Sequence, residues 1–395
     1  MGGAASYSGI VAKIRAMRSE LLSEADFEQL AACRLSSQKA AFLGQFKPYA
    51  GLFGAAGDEL LHRSDVEQRL AFSALQDFDK LYRFGNAEQK RFLKFFFAHF
   101  EAEALRRSLQ AVLSREAYGE KAHAESASVA PPEIDRSVPM RPEDKTAAEQ
   151  GDGQPKIGAA AGQSEEMSNN TLCALHFAEP LLRKYTKLDL TALSQSRTLS
   201  EWVEGLEGTA YYTDLRRLCE AGNARAADYE TALDMRYFTE LWRRKNKLLS
   251  KEEQRMIGRT FGSRIDLLNM SWIYRAKKYF SMTAEEIYAM LVPVRARLSA
   301  EEIRQMAEAP GLSEFLEAER RTCYGARMEK LREMHVEESA AAAGEALLYS
   351  LYEGEARKHP FSAAPVNAYF YRKLKEIERI VYIIEASHYE EEVLT

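Results

Sequence analysis

The feature that most constrains this chain is a repeat. A leucine-rich stretch running into a tyrosine turn occurs three times: FLGQFKPYAGLF (42–53), WVEGLEGTAYYTDL (202–215) and FLEAERRTCYGARM (315–328). With Tyr49, Tyr212 and Tyr324 as markers the intervals are 163 and 112 residues, and their difference, 51, is the length of one compositionally distinct segment, 115–165. With that segment set aside, the chain has a period near 112. Such a unit is far longer than the ~34–47 residues of TPR, HEAT or armadillo repeats, which argues against a solenoid.

Each unit reads as helical. Thr198 with Glu201, Ser250 with Glu253, Thr283 with Glu286 and Ser299 with Glu302 fit the capping box, and Ser23 with Asp26 is a weaker version. In that box a hydroxyl and a carboxylate satisfy the orphan amides of the first turn reciprocally. Apolar residues follow at three-to-four spacing, as Ile10, Ile14, Met17 and Leu21, then Ile303 and Met306, then Leu312, Phe315 and Leu316 past Pro310. Sustained alternation and Asn-Gly hairpin turns are missing, so the fold class is all-α. Segment 115–165, rich in Ala, Glu, Ser, Pro and Gly, holds too few large apolar side chains to offset the ~1–2 kcal/mol of backbone entropy lost per ordered residue. It reads as a disordered insert, dispensable for folding. The expected division is a first lobe 1–114, a linker 115–166, a second lobe 167–290 and a third 291–395.

An acid recurs in the same frame. Glu101 lies 52 residues after Tyr49, Asp266 lies 54 after Tyr212, and Glu376 lies 52 after Tyr324. Asn269 stands one helical turn after Asp266, on the same face. A carboxylate and an amide set in the apolar run RIDLLNMSWIYR could form half an active site or a structural polar pair. The equivalents of Asn269 are Ala104 and Arg379, and chemistry needs one constellation, not three degraded ones at equal spacing. The acids, Asn269 and the three tyrosines are therefore expected to fix how the last helix of each unit docks, although perturbed carboxylates also mark functional sites. Arg259 and Arg275 are the charged groups nearest Asp266 in sequence that could pair with it.

Composition narrows the function. A net charge of −5 gives no reason to expect nucleic acid or an anionic membrane surface as partner. The basic run RRKNK (243–247) reads as the solvated face of a helix. The start lacks the apolar core of a signal peptide, and FFFAHF (95–100) is far short of the ~18 apolar residues of a membrane span. Cys33, Cys173, Cys219 and Cys323 have no CxxC spacing and read as reduced core thiols.

Five stretches in order carry a resemblance: YSGIVAKIRAMRSELLS near the start, LDMRYFTELW (233–242), RIDLLNMSWIYRAKKYFSM (264–282), LVPVRARLS (291–299) and YFYRKLKEIERIVYIIEASHY (369–389). Together on a threefold repeat they resemble the C-subunit family of the V/A-type rotary ATPases, whose eukaryotic members are called d. The resemblance covers nearly the whole chain apart from the insert, which is longer than the family leads one to expect. Glu378 is a second departure, standing where an apolar residue is usual. The resemblance implies a funnel of three helical lobes about a pseudo-threefold axis. It also implies a non-catalytic rotor component of the central stalk, one copy per complex. Such a component sits on the cytoplasmic face of the membrane ring and receives the foot of the shaft, coupling it to proton or sodium transport. Arg15, Arg18, Lys277 and Arg379 are the candidate polar groups for those partners.

No catalytic, cofactor-binding or metal-binding residue is expected. No G-x-x-x-x-G-K-[ST] occurs, and the glycines of GDGQPKIGAAAG (151–162) lie in the insert. His335 with Glu338 lacks further ligands and reads as a solvated helix face. H-E-x-x-H, G-x-S-x-G and the acidic clusters of diphosphate–Mg²⁺ sites are missing, which disfavours an α-helical prenyl-transfer enzyme. The remaining alternative is an unrelated helical scaffold without activity.

Overall fold

The computed structural model describes residues 3–53, 63–128, 178–334 and 340–394. All described secondary structure is helical. The caps account for several of the starts. Ser23–Asp26, Ser250–Glu253, Thr283–Glu286 and Ser299–Glu302 form full reciprocal boxes. Thr198 caps Glu201, but the Glu201 carboxylate accepts from the amide of Arg197 (2.8 Å) instead of closing the box. Ser23–Asp26, the weaker box by sequence, is thus complete while Thr198–Glu201 is half made.

Three helices close the three units. They are Ala87–Ser128, Phe261–Arg275 and Ala364–Leu394, and they carry Glu101, Asp266 and Glu376 respectively. Each packs on the short helices of the next unit. Ala87–Ser128 meets Leu190–Gln195 and Leu199–Glu204, and Phe261–Arg275 meets Ala300–Ala307 and Leu312–Arg320. Ala364–Leu394 returns to Glu24–Ala32 and Ser36–Leu43 near the start of the chain. The units are therefore interlocked in a closed cycle.

The buried apolar side chains accordingly fall into two clusters and not one per unit. The first and second units share one cluster with part of the final helix, while the third unit packs around Leu267, Met270 and Ile273 of the second. Aromatic side chains tie the shared cluster together. Tyr185 of the second unit stands edge-on to Phe78 of the first at 5.0 Å, and Phe96 stacks on Phe370 of the last helix at 4.2 Å.

Several sequence expectations need correction. Helix Ala87–Ser128 runs past residue 114, so the first fourteen residues of the supposed insert are helical. Arg115 donates to the carbonyls of Ser194 and Ser196, and Glu116 accepts from the amide of Leu199, which holds that extension against the second unit. The rest of the insert lies outside the described residues, as do Cys173 and the pair His335 and Glu338. Cys33 and Cys219 are half-buried and Cys323 is exposed, so none of the three described thiols is a core residue. RRKNK is not uniformly solvated either, because Lys245 is buried with its ammonium 3.5 Å from the centre of the Trp242 ring.

Candidate functional site

The three repeated acids occupy equivalent junctions between units, and each engages the unit after its own. Asp266 is fully buried and accepts from four donors. These are the amides of Ala296 (3.2 Å), Arg297 (2.8 Å) and Leu298 (3.2 Å) and the hydroxyl of Tyr324 (2.8 Å). Burial raises its pKa, while the amides and Tyr324 oppose the rise. One turn on, the Asn269 amide accepts from Val292 N (2.9 Å) and donates to Val292 O (3.0 Å). Both side chains thus pin the loop 292–298, leading into the capped helix that starts after Ser299. Three of the donors fall on Oδ2 and one on Oδ1, so the carboxylate is engaged in holding the loop and the tyrosine.

Glu376 repeats the pattern across the junction between the last and first units. It accepts from the amide of Leu22 (2.8 Å), which precedes the Ser23 cap as Leu298 precedes Ser299, and from the hydroxyl of Tyr49. Lys373, three residues before Glu376, donates to Tyr49 Oη (2.8 Å) and to Glu376 (3.3 Å). Ser263, three before Asp266, likewise lies 3.0 Å from Tyr324 Oη. Burial lowers the pKa of Lys373 against the pull of Glu376 and Asp77, and burial with the Glu376 charge raises that of Tyr49.

At the junction of the first and second units, Glu101 accepts from Thr186 Oγ1 (2.6 Å), which itself accepts from the amide of Leu188 (3.2 Å). Leu188 precedes the Asp189 cap, so the contact seen twice directly is here relayed through a hydroxyl. The tyrosine at this junction is Tyr211 and not Tyr212. Tyr211 is buried, and burial, then the Glu101 charge, raises its pKa. Tyr212 is half-buried at the edge of the shared cluster, donating to Glu204 (2.9 Å) and accepting from Arg216 (2.6 Å). One residue of register turns a side chain by about 100° at a helix start, enough to move a ring from the core to its edge.

The other expected partners are placed differently. Asp266 takes neither Arg259 nor Arg275. Arg259 pairs with Glu355 (3.2 Å), and Arg275 is exposed. Arg18 pairs with Glu353 (2.7 Å), Lys277 donates to the carbonyl of Ala309 (2.5 Å), and Arg379 forms a two-pronged pair with Glu24 (2.8 and 2.7 Å) over the Phe27 ring. Arg15 is exposed.

The three closing helices leave space between them. Two adjoining cavities, of about 450 and 420 Å³, share His99, Glu103, Tyr237, Arg264, Lys375 and Glu378 as wall. The larger is otherwise largely aromatic, with Phe95, Phe96, Phe100, Phe261, Tyr352 and Tyr371. Helix geometry explains the choice of residues. Two residues of helix turn a side chain about 200°, so positions two before or after a junction acid face the opposite way. Those positions are His99, Arg264 and Leu374 before the acids, and Glu103, Leu268 and Glu378 after them, and all six line one cavity or both. Burial and the Arg264 charge lower the His99 pKa to about 4, which keeps its imidazole neutral. Arg15, Arg18, Lys277 and Arg379 line neither cavity. Arg264, inside RIDLLNMSWIYR, is not among the residues that sequence patterns single out. Its spacing two residues from Asp266 is the one signal that points to it.

Among the described residues, no helix is long and apolar enough to cross a membrane, and no group of three or more His, Cys, Asp or Glu side chains could hold a metal ion. The sequence is 23% identical over 240 residues to the C subunit of an A-type ATP synthase from Methanococcoides burtonii, covering 58% of this chain and 62% of that protein. It is 27% identical over 194 residues to the protein of the same name from Thermococcus kodakarensis, covering 48% of this chain and 50% of the relative. The aligned part thus spans less than two thirds of either relative. The profile of the ATP synthase (C/AC39) subunit family matches on both sides of the interrupted segment, over residues 10–138 and 168–392, and the chain belongs to that family.

Proposed function

We propose that this chain is a non-catalytic rotor component of a V/A-type ATP synthase, coupling the central shaft to the membrane ion-translocating ring. The observation that carries the reading is the central basin, walled by one closing helix from each of the three repeat units. A basin walled by three helices suits the end of a shaft, and the expected arrangement of three similar lobes around it would suit a broad ring. One chain supplies all three units, so one copy per complex is enough. The names of the two relatives support the assignment to such a complex. In this role the repeated acids and Tyr49, Tyr211 and Tyr324 dock the lobes on one another, and the chain sits at the cytoplasmic face through its partners.

A coupling part changes the yield of transport per ATP, not the chemistry of hydrolysis. Membrane vesicles reconstituted with the complex are expected to keep ATP hydrolysis by the catalytic head when this chain is omitted, while ion pumping collapses. Pumping and hydrolysis are measured on the same vesicles. A pumping-to-hydrolysis ratio that stays constant on omission, or an ATPase activity that follows the purified chain alone through gel filtration, defeats the proposal.

A further inference from the structure

We propose that the end of helix Ala226–Leu248 and the adjoining loop 292–298 form a basic surface that docks an acidic segment of a neighbouring subunit. This deepens the rotor reading and rests on it, since the partner is drawn from the same complex. The chain as a whole is acidic, with a net charge of −5. Its cations are nevertheless concentrated here. The run 241–249, LWRRKNKLL, holds four cations and no acid, and 291–298, LVPVRARL, holds two and no acid.

The fold brings the two runs together at a glycine. The place that a Cβ on Gly262 would fill lies 2.6 Å from Ala296 Cβ and 3.0 Å from Trp242 Cη2, so the tryptophan and the loop meet there. Arg295 and Arg297 flank Ala296 and are exposed. Asp266 and Asn269 hold this loop by its backbone, which gives the two arginines a fixed base. Lys245 is only 9% exposed and lays its ammonium 3.5 Å from the centre of the Trp242 ring. Arg297 lies over Tyr324 at 5.4 Å.

The carboxylates of the adjoining segments are committed elsewhere. Glu240 accepts from Arg243 (2.6 Å) and Arg244 (2.9 Å), Asp266 holds the loop amides, and Glu302 closes the Ser299 cap (2.7 Å). Among the described residues Lys245, Arg295 and Arg297 have no ion pair. Burial lowers the pKa of Lys245, and no carboxylate opposes the shift. The surface therefore carries an excess of positive charge that the chain itself leaves unbalanced.

The surroundings select carboxylates over other polyanions. A lipid surface is gripped by apolar side chains sunk among the headgroups as well as by charge, and Leu248, 36% exposed, is the one exposed large apolar side chain on these two runs. Nucleic acid is repelled by the acidic remainder of the chain. Cations held over aromatic rings and on a pinned loop suit acidic side chains at fixed spacing, and each arginine fork can take a carboxylate in two-pronged fashion.

The test uses the full-length chain and two probes, the soluble catalytic head carrying its shaft and the detergent-solubilised membrane sector, each freed of this chain. Binding is titrated at low and high salt beside denaturant melts of each variant. The wild type is expected to bind at least one probe, more weakly as salt rises. Arg295→Gln/Arg297→Gln should weaken that binding roughly ten- to hundredfold and flatten its salt dependence, and Lys245→Met should weaken it about fivefold. Arg197→Gln/Arg217→Gln, which removes the same charge from exposed positions elsewhere, should leave affinity within about twofold. Equal affinities and salt slopes for wild type and Arg295→Gln/Arg297→Gln on both probes overturn the docking surface and leave the rotor reading intact. A wild type that binds neither probe overturns both. Sedimentation with phosphatidylglycerol vesicles that Arg295→Gln/Arg297→Gln abolishes, beside unchanged binding to the probes, gives the surface to lipid and overturns the proposal. If the double variant melts early, Arg295→Gln alone decides, and wild-type affinity in that variant overturns the surface.

Discussion

At the scale of the residue, the informative side chains are polar ones inside apolar walls. Asp266 and Asn269 share a helical face and hold consecutive parts of one loop, the carboxylate gripping three amides and the carboxamide pairing with a single backbone unit. Such groups are costly to lose because their partners stay buried and unsatisfied. Asp266→Ala strands three amides and the Tyr324 hydroxyl, so it is expected to destabilise the chain by about 3 kcal/mol. Tyr324→Phe leaves the three amides bonded and should lower stability by only about 1 kcal/mol. Because the two side chains touch, the double variant should cost less than the sum of the two. Urea titrations of the four proteins measure this. Equal midpoints, with assembly lost in Asp266→Ala, would move the carboxylate from the docking of lobes to the binding of a partner.

At the scale of the element, the helix Phe261–Arg275 reaches its loop through a residue with no side chain. A Cβ on Gly262 would lie 2.6 Å from Ala296 Cβ and 3.0 Å from Trp242 Cη2. Neither neighbour is free to swing away, since Ala296 has no further side chain and Trp242 sits under Lys245. The closeness of helix and loop is what lets Asp266 reach the amides of Ala296–Leu298. Gly262→Ala should therefore force the two apart and destabilise by about 1–3 kcal/mol, even though alanine is the better helix former. Here a thermal melt suffices, and a stabilised Gly262→Ala chain would show that the contact is looser than its geometry.

At the scale of the whole molecule, the cyclic packing makes the last helix part of the first unit. Ala364–Leu394 supplies Phe370 to the stack on Phe96, Tyr369 to Asp77 (2.6 Å), and Glu376 to Leu22 and Tyr49. A chain ending at Ala363 should therefore lose more than one unit. Its circular-dichroism melt is expected to be broad, and residues 3–53 should become open to protease along with the third unit. A truncated chain whose first two units still melt sharply would mean that the lobes fold independently.

Much of this was legible from local patterns. Four capping boxes of Ser or Thr with Asp or Glu, the three-to-four spacing and the repeat of acids near residues 101, 266 and 376 are set by hydrogen bonds and side chains a few positions apart. Such short-range geometry is fixed by the backbone itself, so the helical class and the positions of the acids follow from sequence alone. What the tertiary structure decided is which acid meets which tyrosine. Within each repeat they lie about 52–55 residues apart, yet Tyr49 meets Glu376 and Tyr324 meets Asp266, because each closing helix, packed on its own unit on one side, turns the face that carries its acid to the next unit. The choice of Tyr211 over Tyr212, and the turning of Arg264 into the central basin, depend on helix rotation, which only the packed neighbours settle.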